Sequence, residues 1–216
     1  MHPSTSNESI NSSTADYLFN DTEADECKFK QIVKAIQEIR KKTDPNGDNY
    51  ADYDIFVTGH SLGGALSQLL AFALSGSELA KELPSPITAV SFASPQPGNL
   101  RYVKAFQRLE EEGRLRHIRV SNAGDHVCVQ PAVPFFGYSQ TGVNVHVSDG
   151  YKADVGYRNQ RSAFSAFYSA ISPVTALKMH GLPTYLERLV GNPDNKDIID
   201  KSVEDFYEEY AGDFTD

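Results

Sequence analysis

Ser61 stands between Gly59 and Gly63 in the run YDIFVTGHSLGGALSQLLAFAL, residues 53–74. A serine hydroxyl is a weak nucleophile until a backbone aims it and a base takes its proton. The flanks of Ser61 are suited to the aiming. Residues 54–58 form a short β-prone run, and from Leu62 the apolar residues recur with helical spacing through Ala65, Leu66, Leu69 and Leu70. Ser61 is thereby predicted on a sharp strand-to-helix turn, the context that gives a Gly-x-Ser-x-Gly pentad chemical meaning. Gly59 and Gly63 are expected where strand and helix crowd too closely for side chains. The turn also sets Ser61 at a helix N-terminus, where unpaired amides and the helix dipole favour developing negative charge. The amide of Leu62 is the candidate oxyanion donor, and the chemistry is acyl transfer through serine.

Such a serine needs a base and an acid that orients the base. In a parallel α/β sheet these lie at the carboxyl ends of the strands. Asp125 follows the strand-like run 115–121 through the turn NAG, on the same edge as Ser61. Asp149 and Asp154 follow the later run VNVHVS and read as turn residues. Of the six histidines, His2 lies in a polar terminal stretch, His60 inside the turn, His117 within a strand and His126 beside the acid. Two remain by spacing: His146 in the alternating VNVHV, where packing is the default role, and His180 in the loop-like MHGLP. His180 gives the chain order Ser, Asp, His that occurs in α/β-hydrolases.

The elements that must position these groups alternate. A helix is predicted over 29–39 from Phe29, Ile32, Val33, Ile36 and Ile39, then the turn TDPNGDN, the strand before Ser61 and the helix after it. LPSP interrupts the chain, a buried strand follows over 87–93, a helix over 99–112 closed by Gly113, and a strand over 115–121. Strand and helix in alternation predict an α/β fold around a mostly parallel sheet.

The 216 residues carry a net charge of −9, and the acidity belongs to the ends: six acids without Lys or Arg in 1–26, and nine acids against two Lys in 191–216. The remainder is mildly positive, without the basic clustering that nucleic-acid binding requires. Residues 1–26 are expected to be a disordered Ser/Asn-rich tail, 27–190 the folded domain and 191–216 an acidic C-terminal segment. The sequons at Asn7, Asn11 and Asn20 are expected to be unused, since the start has no basic and apolar leader and the chain as written is addressed to the cytoplasm. No transmembrane segment is predicted, and Cys27 and Cys128 are expected to be free thiols. Two apolar stretches, VQPAVPFFGY at 129–138 and SAFSAFYSAI at 162–171, read as core, with an acyl groove as their alternative role.

Together IFVTGHSLGGALSQL, FASPQPGN at 92–99, RVSNAGDHV at 119–127 and HGLPTYL at 180–186 resemble the class 3, or fungal-type, lipases of the α/β-hydrolase superfamily. The resemblance spans about residues 29–190. It implies Ser61 as nucleophile, Asp125 as the orienting acid and His180, not His146, as base. It further implies hydrolysis of lipid carboxylic esters of the triacylglycerol or phospholipid type, at a membrane or lipid-droplet surface, with no metal or organic cofactor. The strands, RGT-like turn and lid helix that such lipases carry upstream of the nucleophile have no counterpart in the first 60 residues. The sheet is therefore expected to lack N-terminal strands. A truncated, catalytically weak lipid-binding module is the alternative expectation, and an acyltransferase built on the same turn a further one.

Overall fold

The computed structural model describes residues 12–22, 26–44, 53–131, 137–157 and 173–211. The first elements are helices α1 (Ser12–Phe19) and α2 (Lys28–Thr43). They are followed by β1 (Ile55–His60), α3 (Leu62–Gly76), β2 (Ile87–Phe92), a two-residue β3 (Gly98–Asn99), α4 (Leu100–Glu111) and β4 (Leu115–Asn122). Then come a two-residue β5 (Tyr138–Ser139), β6 (Val143–Ser148) and β7 (Tyr151–Tyr157). The chain continues through α5 (Pro173–His180), α6 (Leu182–Leu189), α7 (Lys196–Ile199) and α8 (Val203–Ala211).

Five strands form one sheet in the order β1-β2-β4-β6-β7, and β3 pairs with β5 apart from it. The first four are mutually parallel and β7 returns antiparallel to β6. Alternation along the strands divides the core into two layers. Ile87 and Ala89 of β2 and Leu115 of β4 pack with Leu69, Leu74, Val103 and Phe106 of α3 and α4. Val120, Val143, Val145 and Val147 meet Tyr185 of α6 and Phe206 and Tyr207 of α8. Helices on both faces of a mostly parallel sheet bear out the α/β expectation. Asn99 starts α4 by accepting the Arg101 and Tyr102 amides on Oδ1, at 3.0 and 3.2 Å. Gly113 follows α4 with φ +66°.

The ends carry structure that their composition hid. Ser12–Phe19, inside the stretch expected as a tail, is helical, and Leu18 is buried in the first core layer. In the acidic C-terminal segment, Phe206, Tyr207 and Ala211 are buried on one face of α8. The Tyr207 hydroxyl donates to buried Glu110 of α4 at 2.6 Å. Net charge describes the outer face of such a helix and is silent on its apolar stripe. The stretch 162–171 and residues 132–136 of the loop 129–138 lie outside the described residues. Cys27 and Cys128 are free and buried. No helix among the described residues is long and apolar enough to cross a membrane.

A buried polar chain links β2, β4 and α3. His117 of β4, fully buried, lies 2.9 Å from Ser91 Oγ through Nε2 and 2.8 Å from Thr141 Oγ1 through Nδ1. Thr141 donates to Gln68 Oε1 at 3.3 Å, and Gln68 Nε2 donates to Ser94 Oγ at 2.7 Å. Burial, aided by the nearby Arg119 charge, lowers the His117 pKa to about 3, so the ring is neutral.

Candidate active site

Ser61 caps α3 with φ 58° and ψ −129°, a left-handed conformation unusual for a residue with a side chain. Its amide donates to Phe92 O of β2 at 3.0 Å, and its carbonyl accepts from Gly64 N at 2.9 Å. The turn is thus over-determined by strand and helix, which is what holds a strained residue in place. A Cβ at Gly59 would lie 2.1 Å from Gly63 O, so that glycine is obligatory. Gly63 departs from expectation: a Cβ there would meet nothing within 4 Å. The close approach falls one residue later, where a Cβ on Gly64 would come within 2.8 Å of Ser94 Cβ.

Asp125 lies in the loop after β4, with its amide donating to Asn122 O at 3.0 Å. His180 is the last residue of α5, where the breakers in MHGLP predict a loop. The breakers Gly181 and Pro183 follow the histidine, and the helix runs up to them. The three side chains meet. His180 Nε2 is 2.9 Å from Ser61 Oγ, and His180 Nδ1 is 3.0 Å from Asp125 Oδ2 and 3.2 Å from Oδ1. A carboxylate accepts only, so Nδ1 carries the proton and Nε2 is left to accept from the serine hydroxyl. The Leu62 amide is the first of α3 and has no partner inside the helix.

The Asp125 side chain is wholly buried beside a partly exposed His180. Its charge is met by donors: Val127 N at 2.9 Å on Oδ1, Tyr185 OH at 2.6 Å on Oδ2, and the Cys128 thiol at 3.7 Å on Oδ2. Burial first, then the neighbouring Cys128 and Asp125, push the Tyr185 phenol far up, so it stays a donor. Burial, with Asp125 adding to it, pushes the Cys128 thiol up to about 12. Asn122 joins the acid loop to α5 and α6. Its Nδ2 donates to Met179 O at 2.7 Å, and its Oδ1 accepts Arg188 Nη1 at 2.5 Å.

The remaining candidates stand elsewhere. His146 is buried in β6, with Nδ1 2.9 Å from Ser121 Oγ. Asp149 is in the β6–β7 turn, but Asp154 is a strand residue of β7, opposite His146. His60, Asn122, Cys128, Tyr185 and Arg188 carry contacts that their spacing did not announce. Tyr185 and Arg188 stand on α6, beyond the Gly181 break that follows His180.

The family model described as Lipase (class 3) matches residues 7–135, more than half of the chain. Phospholipase A1-Igamma2, chloroplastic, of Arabidopsis thaliana is 30% identical over 138 residues, 62% of this chain and 25% of that protein. Phospholipase A1-II 4 of Oryza sativa subsp. japonica is 27% identical over 205 residues, 90% of this chain and 46% of that protein. The chain thus spans a quarter to just under half the length of these curated relatives. Among solved structures, the lipase from Rhizopus microsporus var. chinensis superimposes with a TM-score of 0.51 at 23% identity, covering 80% of this chain and 60% of that one. The Rhizomucor miehei lipase propeptide complex gives 0.52 at 21%, covering 83% and 51%. At such identities the structural likeness speaks for the fold, which is that of the α/β-hydrolases.

Proposed function

This chain belongs to the class 3 lipase family, and from that premise we propose that it is a serine hydrolase of lipid carboxylic esters, with Ser61, His180 and Asp125 as its triad. The observation that carries the reading is the hydrogen-bonded series Ser61 Oγ, His180 Nε2, His180 Nδ1, Asp125 Oδ2, at 2.9 and 3.0 Å. The names of the curated relatives, phospholipases A1, support glycerophospholipid esters as the substrate class. A lipid surface is where such a substrate would be met.

The chemistry follows from the geometry. Ser61 Oγ attacks the ester carbonyl as His180 Nε2 takes its proton, and Asp125 stabilises the imidazolium that results. The carbonyl oxygen, now an anion, is received by the Leu62 amide at the start of α3. His180 is at the other pole of a helix, the C-terminal end of α5, which favours a cation. The imidazolium returns its proton to the leaving alkoxide, and the acyl group stays on Ser61 until water, deprotonated by His180, releases it as the acid.

The test is covalent labelling by a fluorophosphonate, read by intact mass, with Ser61→Ala and His180→Ala as controls. One adduct on the parent, absent from Ser61→Ala and strongly slowed in His180→Ala, is the expected result. A folded parent that stays unlabelled would overturn the proposal.

A further inference from the structure

The base stands at the end of a helix, and the last four carbonyls of any helix have no partner within it. In α5 three of these are taken by named groups. Lys178 O accepts Thr184 Oγ1 at 2.8 Å and Gly181 N at 3.2 Å. Met179 O accepts Asn122 Nδ2 at 2.7 Å, from the end of β4. His180 O lies 2.8 Å from Nε2 of His60, the last residue of β1. A carbonyl can only accept, so His60 Nε2 carries a proton and donates it there. The two imidazoles also lie against each other, tilted, with ring centroids 4.7 Å apart and planes 38° from parallel.

His60 is the residue immediately before Ser61. One strand end therefore supplies the serine and, one residue away, the group that holds the backbone and the ring face of the histidine. We infer that His60 is a positioning residue, which sets the Ser61–His180 separation by capping α5 at His180 O and bracing the His180 ring. This rests on the reading of Ser61 and His180 as nucleophile and base. Without the cap, the helix end retains the Asn122 and Thr184 contacts, so α5 stays docked while the imidazole loses its rotational restraint. Displacing a reacting group by a fraction of an ångström slows chemistry far more than it alters substrate binding.

Three substitutions separate the components. His60→Gln keeps an N–H donor without the ring, His60→Phe keeps a ring without the donor, and His60→Ala keeps neither. Each is assayed with soluble p-nitrophenyl butyrate for kcat and KM, with a fluorophosphonate for the rate of Ser61 labelling, and by thermal unfolding. For His60→Ala, kcat and the labelling rate are expected to fall about tenfold to a hundredfold with KM within about twofold of the parent. His60→Gln is expected to recover most of that loss and His60→Phe little of it. A merely structural cap would lower the unfolding temperature without this division between kcat and KM. Parental rates in His60→Ala, or equal rates in the Gln and Phe variants, overturn the inference, and the second comparison decides the matter if His60→Ala does not fold. A parent that is itself unlabelled sinks the proposed function along with it, whereas a labelled parent beside an unaffected His60→Ala sinks the positioning role alone.

Discussion

Tyr185 is the residue on which the state of the acid turns. Its hydroxyl and the Val127 amide are the two close donors to the Asp125 carboxylate besides His180, and the whole group is closed to solvent. A buried carboxylate that loses a charge-assisted donor keeps its desolvation penalty without the compensating bond. Tyr185→Phe is expected to cost about 1.5–3 kcal/mol in urea unfolding and to lower kcat/KM for a soluble ester about tenfold, with Ser61 still labelled. An unchanged stability would mean that Val127 N and Cys128 satisfy Asp125 without the phenol. Cys128 itself does not offer a thiolate. Burial and the adjacent Asp125 hold its thiol neutral far above physiological pH.

At the scale of elements, the β1–α3 turn shows which part of the site could be read from sequence and which could not. The place of Ser61 was legible because β-prone residues give way to helical spacing at the pentad, and both are local properties. The division of labour among the glycines was not, because Gly64 is required by Ser94, a residue on the loop after β2. Gly63→Ala is expected to leave the fold intact and to raise stability by about 0.5–1 kcal/mol, since alanine is the better helix former and nothing stands in its way. Gly64→Ala should instead cost about 1–3 kcal/mol through overpacking against Ser94. Urea unfolding of the two variants checks the assignment, and a reversed order would refute it. For the same reason, spacing could not choose between His146 and His180. One is buried in β6 and the other ends α5, and it is the contacts with Asp125 and Ser61, 55 and 119 residues away in the chain, that distinguish them. The roles of His60 and Asn122 depend on contacts across 120 and 57 residues, beyond any local pattern.

At the scale of the molecule, the buried polar chain through His117 ties folding to pH. The ring titrates near 3 in the folded protein against 6.5 for an unperturbed histidine. Between these values the unfolded chain binds a proton that the folded state refuses, so stability falls as pH falls through this window. The slope from this group is about 1.4 kcal/mol per pH unit at its steepest. Urea unfolding between pH 7 and pH 4 is expected to show it, and His117→Asn should flatten the dependence by about one proton. Equal slopes would remove His117 as the cause. The sheet that this chain of hydrogen bonds crosses is not uniform. Among the described strands β1 is outermost, laddered to β2 on one side only, and Phe56 on it is 53% exposed. β2, β4 and β6 are held on both sides, and strands so held are the last part of a sheet to open. Among the described strands, Ser61 thus follows one that is laddered on a single side, while Asp125 follows β4, which is laddered on both.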